Sequence, residues 1–321
     1  MLTVLLTTRN RAPLLREVLE AFRRLQPPAS GWKLVVVDNG STDETAQVLA
    51  SFGDRLPLHS VSEPRLGKNL ALNTGLGLVE GDLTVLTDDD VFPHADWLVQ
   101  LRKAADAQPA YALFGGAVLP RWEVPPPCWI EWLEPGPVYA LTNPSGQDGP
   151  VSPFLVYGPN MAVRTSIFQS GTRFDPSIGP RGSNYPMGSE TELAMRLDRQ
   201  GHKAWYVHNA VVEHFVSAEH LTTVWVLKRA VRYGRGQLRL FGAVKIASAH
   251  LWFGVPRYLL RDLVKAGLTI TAAWALRRQK ALFRARWRFN YRYGQTIEAR
   301  ILARERGASA PSVPIPTSSD P

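Results

Sequence analysis

An α/β fold built on a mostly parallel central sheet is what this sequence predicts, on three observations. Short β-branched apolar runs recur with the look of strands buried on both faces. Stretches with apolar residues at helical spacing separate them. Polar clusters rich in aspartate close several of the apolar runs, where open α/β sheets place their ligands. Leu2–Thr8 is the first such run, and Leu14, Leu15, Val18, Leu19, Phe22 and Leu25 then mark an amphipathic helix. Lys33–Asp38 (KLVVVD) is the second strand, and Ser41-Thr42-Asp43-Glu44 has the form of a capping box opening a second helix. A shorter strand over Leu56–Ser62, a helix over Leu70–Val79 and a strand over Asp82–Thr87 follow. Trp97–Ala105 reads as helix and Ala112–Leu119 as extended chain. Strands separated by helices imply parallel neighbours. The clusters Thr8-Arg9-Asn10, Asp38-Asn39 and Asp88-Asp89-Asp90 then fall at strand carboxyl ends.

Composition bounds the function class. The 321 residues are 45% hydrophobic and 20% charged, enough apolar side chain for a sizeable core, which excludes wholesale disorder. One cysteine, Cys128, cannot form an internal disulfide, and no C-x-x-C pair is present for zinc or redox chemistry. The opening MLTVLLTTRN has no basic residue ahead of its short apolar run, a poor secretion signal, so the expected setting is cytoplasmic. The net charge of +9 is concentrated late in the chain, with 19 Lys and Arg against four Asp and Glu between Ala218 and Arg306. A slightly acidic body is joined to a strongly basic third.

Residues 120–153 carry nine prolines together with Trp122, Trp129 and Trp132, which predicts an ordered excursion over a sheet edge. Residues 307–321 (GASAPSVPIPTSSDP) read as a disordered tail.

Two nucleotide-binding signatures are absent. No G-x-G-x-x-G follows the first strand, and Gly67-Lys68 lacks both the earlier glycine and the following hydroxyl residue of a phosphate loop. A dehydrogenase and a P-loop enzyme are therefore excluded. Asp88-Asp89-Asp90 offers adjacent carboxylates that repel unless a cation or strong donors compensate. Mg²⁺ takes one or two carboxylates plus phosphate oxygens, so the cluster suits a metal and a phosphate. A turn with a helix cap is the alternative. Asp38, closing VVVD, either accepts hydrogen bonds from a base or ribose or simply starts a strand-to-helix turn.

Taken together, VVVDNGSTDET, EPRLGKNLALNTGL and GDLTVLTDDD resemble the nucleotide half of family 2 glycosyltransferases with the GT-A fold. GPNMAVR and GSETELAMRL resemble the acceptor half of that family. The resemblance covers roughly residues 1–217, with a nucleotide half over 1–119 and an acceptor half over 120–217. It implies a Rossmann-like sheet flanked by helices and an inverting, metal-dependent hexosyl transfer. The donor would be a nucleotide-diphosphate sugar, UDP-linked by preference. The cofactor would be Mn²⁺ or Mg²⁺, the acceptor a glycan or lipid-linked hydroxyl, and the setting surface polysaccharide or glycolipid assembly.

Residue by residue, the resemblance places Thr8 and Asn10 near the nucleobase and ribose, and gives Asp38 the bond to the base, with Asp43 in the same block. Lys68 and Asn73 would line the donor pocket. Asp88, Asp89 and Asp90 form the D-x-D region, with Asp88 and Asp90 as outer carboxylates and Asp90 the direct metal ligand. Glu190 falls where the family has its catalytic base, with Glu192 two residues on as the alternative. The family commonly has two adjacent acids after its glycine, whereas Gly188 is followed here by Ser189 and then Glu190. Acids at that point also suit the first turn of a helix. His214 resembles a histidine that helps hold metal or diphosphate. Trp122 and Trp129 could face a sugar acceptor, since indole offers an apolar face and a donor, or could pack within the excursion.

Across residues 218–306 a basic amphipathic pattern takes over. Arg257, Arg261 and Lys265 are spaced four apart with Tyr258, Leu259, Leu263 and Val264 between them. Arg277, Arg278, Lys280, Arg284, Arg286 and Arg288 follow, interleaved with Phe283 and Trp287. An anionic membrane surface is the expected partner, reached peripherally from the inner face of the plasma membrane. Packing of a helical pair on the catalytic body is the alternative. Nucleic-acid binding would account for the basic third but not for the aspartate blocks. A non-catalytic sugar-nucleotide-binding module is the remaining alternative.

Overall fold

The computed structural model describes all residues except 134, 143–145, 183, 243–250 and 309–321. The expected tail thus lies almost wholly outside the described residues. Strand β1 (Leu2–Thr8) is buried nearly throughout and runs parallel between β2 (Trp32–Asp38) and β4 (Leu83–Leu86). The register pairs Thr8 with Asp38 and Leu5 with Leu86, so the loops after all three strands open at one edge. Strand β3 (Leu58–Ser62) extends the parallel array beside β2.

Beyond β4 the sheet changes character, in the order β3-β2-β1-β4-β8-β6-β9-β5, with β7 paired to β9. Here β5 is Val91–Pro93, β6 Leu113–Trp122, β7 Gly149–Val151, β8 Met161–Arg164 and β9 Ala204–Val216. β8 is antiparallel to both β4 and β6, β9 is parallel to β6, and β5 and β7 are antiparallel to β9. The β3-β2-β1-β4 side of the sheet is therefore purely parallel and the other side mixed. Of the two core clusters that flank the sheet, one holds Leu2, Val4, Phe22, Leu34 and Trp97 and the other Leu5, Val35, Leu72, Phe168 and Leu193, while Leu238, Val255, Leu259 and Ala299 form a third. Alternate residues of β1 and β2 divide between the first two, as buried strands require.

Helix α1 (Ala12–Phe22) has proline in its first turn and buries Leu15, Val18, Leu19 and Phe22. Helix α2 (Thr45–Ser51) starts later than the capping-box pattern implies, and no such box forms. The Ser41 hydroxyl instead accepts from the Asn10 backbone N–H at 3.0 Å, and Asp43 accepts from Ala12 N at 3.0 Å. Tertiary bridging between the two loops displaces the local cap. Helix α3 (Lys68–Gly75) lies directly on β1, where a Cβ on Gly75 would come within 2.3 Å of Leu5. Helices α4 (Trp97–Ala107), α5 (Pro135–Tyr139), α6 (Thr165–Gln169) and α7 (Ser189–Arg199) complete the body.

The basic region packs on that body. Helix α8 (Thr223–Phe241) is followed by a hairpin of β10 (Leu251–Trp252) and β11 (Val255–Pro256), then α9 (Arg257–Ala275) and α10 (Gln279–Ala308). α8 and α10 approach backbone to backbone: a Cβ on Gly234 would lie 2.0 Å from Tyr291 O, and one on Gly294 2.0 Å from Val231 O. Gly236 lets α8 meet Met187 O in the same way. Glu298, fully buried on α10, pairs with Arg235 at 2.8 Å and also with Arg239, so two arginines of the basic region are tied to one internal carboxylate. Trp129 and Trp132 of the proline-rich excursion pack against Phe283 of α10, one tilted and one edge-on. Among the described residues no helix is long and apolar enough to cross a membrane.

Candidate active site

A cavity of about 900 Å³ opens at the carboxyl edge of β1 and β4, walled by the starts of α3 and α7 and by one side of α8. Asp88, Asp89 and Asp90 stand on its floor, in the loop between β4 and β5. Arg11 Nη1 donates to Asp89 Oδ1 at 2.9 Å and to Asp90 Oδ2 at 2.6 Å. Asp89, with Asp90 on the same guanidinium, raises the Arg11 pKa above its already high ordinary value. Burial pushes Asp89 up to about 6 despite Arg11, since Asp90 and Asp88 add like charge. Burial also opposes ionisation of Asp90, but His214 and Arg11 outweigh it and hold that carboxyl far below its ordinary range.

His214 faces this cluster from β9. Its Nδ1 lies 2.7 Å from Tyr139 O, so that nitrogen carries the proton it donates, and Nε2 looks at Asp90 Oδ1 from 3.4 Å. Burial would lower the pKa of His214, but the Asp90 carboxylate outweighs it and raises it. Asp90 Oδ1 is buried without a hydrogen bond. A protonated imidazole pairs with that oxygen, whereas a neutral one sets a lone pair against it, an arrangement that a cation between them relieves.

Glu190 and Asp88 are joined through one ammonium. Lys68 Nζ, at the start of α3, donates to Asp88 Oδ1 at 2.6 Å and to Glu190 Oε1 at 2.8 Å. Burial alone would lower the Lys68 pKa, but the two carboxylates raise it above its ordinary value. Burial would likewise raise Glu190, yet Lys68 outweighs it and keeps the carboxyl below its ordinary value, hence ionised near neutrality. The chain makes room for this acid with glycines. Gly188 takes a left-handed φ of 117° ahead of α7, and a Cβ on Gly158 would sit 2.6 Å from the Glu190 carboxyl carbon.

The structure brings Thr8, Lys68, Asp88, Asp89, Asp90, Glu190 and His214 to the cavity wall. Other expected residues build the loops beside it. Asn10 Oδ1 accepts from Thr42 N at 2.7 Å, and Asp38 Oδ1 from Ser41 N at 2.9 Å. Asp43 binds the Ala12 and Thr45 backbone, and Asn73 clamps both backbone groups of Phe174 at 2.8 Å. Glu192 turns away to a two-point pair with Arg196 at 2.7 and 2.9 Å. Trp122 packs edge-on against Tyr139, and Trp129 lies tilted against Phe283, so both meet the protein's own aromatics.

Several lining residues escape sequence reasoning. Arg11 reads as an ordinary solvated arginine before a helix, yet it holds two of the aspartates. Asn39, adjoining Asp38, ties the 63–67 loop in place through Glu63 O, Arg65 O and Gly67 N. Trp225, Arg229 and Arg232 come from α8, in the stretch that composition marks as a basic surface. His220, also lining the cavity, is pushed down to about 4 by burial and is neutral. Among the described residues no group of three or more His, Cys, Asp and Glu side chains is arranged as a metal cage. Two carboxylates with an open side remain, the donor set that suits a hard cation sharing phosphate oxygens.

Residues 3–144 match the family described as Glycosyl transferase family 2. Over 295 residues the chain is 24% identical to glycosyltransferase AglE of Haloferax volcanii, an alignment covering 86% of this chain and 89% of that protein. Over 114 residues it is 36% identical to validoxylamine A glucosyltransferase of Streptomyces hygroscopicus subsp. jinggangensis, covering 35% of this chain and 27% of that one. Among solved structures, the mannosyltransferase PcManGT from Pyrobaculum calidifontis, in complex with GDP-Man and Mn²⁺, shares the fold with a TM-score of 0.55. It is 21% identical, with 97% of this chain and 88% of that one covered. S. aureus TarS 1-349 in complex with UDP-GlcNAc gives a TM-score of 0.52 at 14% identity, covering 96% and 91%. Sequence blocks, sheet order and these likenesses agree: residues 3–144 match the family 2 glycosyltransferase model, and the chain shares the GT-A fold of its solved neighbours.

Proposed function

We propose that the protein transfers a hexose from a nucleotide-diphosphate sugar, UDP-linked by preference, to an acceptor hydroxyl with inversion at the anomeric carbon. One observation carries this reading: Lys68 holds the Asp88 carboxylate and the Glu190 carboxylate on a single ammonium, so a diphosphate site and a base adjoin. The diphosphate lies toward Asp88, Asp90 and Arg11, with the acceptor hydroxyl at Glu190. Glu190 accepts the hydroxyl proton as that oxygen attacks the anomeric carbon from the face opposite the leaving group. The carbon–oxygen bond to the diphosphate breaks, and its electron pair leaves with the nucleoside diphosphate. Lys68 keeps Glu190 ionised and offsets charge developing on the leaving oxygens. Asp88 and Asp90, with His214 beside them, are the residues that would hold Mn²⁺ or Mg²⁺. The bound ion supplies electrostatic stabilisation of the departing diphosphate.

Glu190→Gln tests the mechanism. Transfer should fall at least about 10²-fold, while the affinity for the nucleoside diphosphate with Mn²⁺ is retained. Unchanged turnover removes Glu190 from the chemistry. A thermal-shift panel of UDP, GDP, dTDP and CDP, with and without Mn²⁺, identifies the base of the donor.

The same reading extends to peripheral attachment at an anionic membrane from the cytoplasmic side, serving a lipid-linked or surface glycan acceptor. Val264, Leu268 and Trp274 on α9 are 63%, 66% and 68% exposed, and Phe253 in the preceding hairpin is 89% exposed. Arg257, Arg261 and Lys265 flank them. Flotation with anionic liposomes at low salt should carry the protein, and failure to float sinks this extension.

A further inference from the structure

Strand β9 runs beside β6 in two registers. On β6, Gly116 has Val207 as its partner, but the next residue, Ala117, faces Val211. His208, Asn209 and Ala210 therefore have no partner on β6, a bulge that divides the strand. Ahead of it, residues 204–206 pair with β7. Beyond it, residues 212–214 pair with β5, and Phe215 N donates to Asp90 O at 2.8 Å. An uninterrupted register would set Val211 opposite Pro120, where His214 stands, and carry His214 about 10 Å further along the sheet. The bulge thus delivers this histidine to within 3.4 Å of Asp90.

One side chain clamps the bulge. Asn160 directly precedes β8 and is fully buried. Trp97 Nε1 can only donate, so the atom it meets at 2.9 Å is Asn160 Oδ1. That orientation turns Nδ2 to the bulge, where it donates to Ala117 O at 2.9 Å and to Ala210 O at 2.8 Å. These carbonyls belong to β6 just past the register jump and to the last looped residue of β9. Gly116 makes room for the clamp: a Cβ there would come within 2.2 Å of both Asn160 Nδ2 and Ala210 O. The two residues before Asn160 reach the other parts of the site. Pro159 O accepts from the hydroxyl of Thr87, next to Asp88, at 2.8 Å, and Gly158 lies against the Glu190 carboxyl.

We propose that Asn160 is a positioning residue for the Asp90 end of the site: by clamping the bulge between β6 and β9 it fixes the reach of His214 to Asp90. Asn160 does not line the cavity, so its effect on binding passes through β9. The proposal rests on the transferase reading above for what binds at Asp90, and on strand geometry alone for the placement of His214. An amide is the group this point requires, because two buried carbonyls need two donors from one atom. A carboxylate or an aliphatic side chain offers them none, and unpaired buried carbonyls shift toward other partners.

The test uses the full chain and two readouts. Mn²⁺ binding is followed by EPR with the nucleoside diphosphate that the thermal-shift panel selects. The His214 Nδ1 proton, bonded to Tyr139 O, is followed by NMR of the ligand-free chain, with His214→Ala assigning it. Asn160→Asp keeps the shape but sets an oxygen against both carbonyls. It should weaken Mn²⁺ binding at least tenfold and shift or abolish the His214 signal. Asn160→Ala removes the donors without adding a charge and should act in the same direction, so the outcome does not hang on one variant folding. His214→Ala should also weaken Mn²⁺ binding, and Asn160→Ala with His214→Ala should lose no more than the worse single variant, since both remove one contact. Phe168→Leu, a buried change in the other core cluster, should lower Tm while leaving both readouts at wild type. Mn²⁺ affinity within twofold of wild type in a folded Asn160 variant overturns the proposal, and so do losses that add in the double variant. If the wild type binds neither Mn²⁺ nor any nucleoside diphosphate, the transferase reading fails. An unchanged His214 signal in the Asn160 variants then overturns the positioning role by itself, and a displaced one upholds it.

Discussion

Replacing Lys68 with methionine should convert Glu190 from an ionised carboxylate into one that stays protonated to higher pH. Two opposing influences act on Glu190: burial raises its pKa, and the Lys68 ammonium at 2.8 Å lowers it by charge and hydrogen bond. With an effective dielectric of about 20, unit charges at that separation attract by roughly 6 kcal/mol, most of which offsets the desolvation of both partners. What remains for such a pair is about 1.4–4 kcal/mol of bias toward the charged form, a tenfold to thousandfold change in the ionisation constant. In Lys68→Met, burial wins and the Glu190 midpoint crosses from below the ordinary 4.5 to above it. Arg229 and the more distant aspartates are unchanged by the substitution. The assay is carboxyl ¹³C NMR of glutamate-labelled protein across pH 3 to 8, with Glu190→Gln assigning the resonance. The acid limb of kcat/KM should move the same way. Lys68→Arg keeps the charge and should leave the midpoint near wild type. A Glu190 midpoint that stays below 4.5 in Lys68→Met would refute the argument, since it would mean that Lys68 does not set the ionisation.

Glu63, 4% exposed, is held by Arg65 and Thr74, which depress its pKa to about 2. A depressed carboxylate stabilises the fold above its unfolded value near 4.5 and loses that contribution as the pH falls through about 2. Glu63→Gln should therefore flatten the decline of Tm between pH 5 and pH 2. Gly234→Ala places a methyl 2.0 Å from Tyr291 O, a backbone atom that only movement of α10 relieves. Denaturant unfolding should show a loss of about 3 kcal/mol or more. Gly158→Ala intrudes on the Glu190 carboxyl rather than on backbone, so stability should largely hold. Transfer should fall by about 10–100-fold as the base is displaced, read as kcat against Tm.

Much of the parallel side of the sheet is legible in the chain, because β1, β2 and β4 are continuous apolar runs whose ends coincide with polar clusters. Side-chain periodicity reports burial there without needing any partner. It fails for β5 and β7, three residues each, which exist only because β9 is alongside to pair with them. It also fails for Ser41–Glu44, where local capping chemistry loses to hydrogen bonds reaching across thirty residues from Asn10 and Ala12. The acids and Lys68 are visible as motifs, but Arg11 and Arg229 are not, since an arginine's role depends on what its guanidinium meets. The basic stretch is a sharper case. A high density of Lys and Arg reads as solvated surface, and only the packing at Gly234, Gly236 and Gly294 turns one side of α8 inward.

Those three glycines also set an order of assembly. α8, which carries Trp225, Arg229 and Arg232, meets the body at Met187 through Gly236, and α10, more than fifty residues later in the chain, braces it at Gly234. During synthesis from the N-terminus, the sheet and its aspartates can fold while the far wall of the cavity still lacks α10 behind it. The wall of the cavity is therefore completed late, when α10 packs behind α8, so a partly synthesised chain holding Asp88, Asp89, Asp90 and Glu190 would still lack a finished pocket.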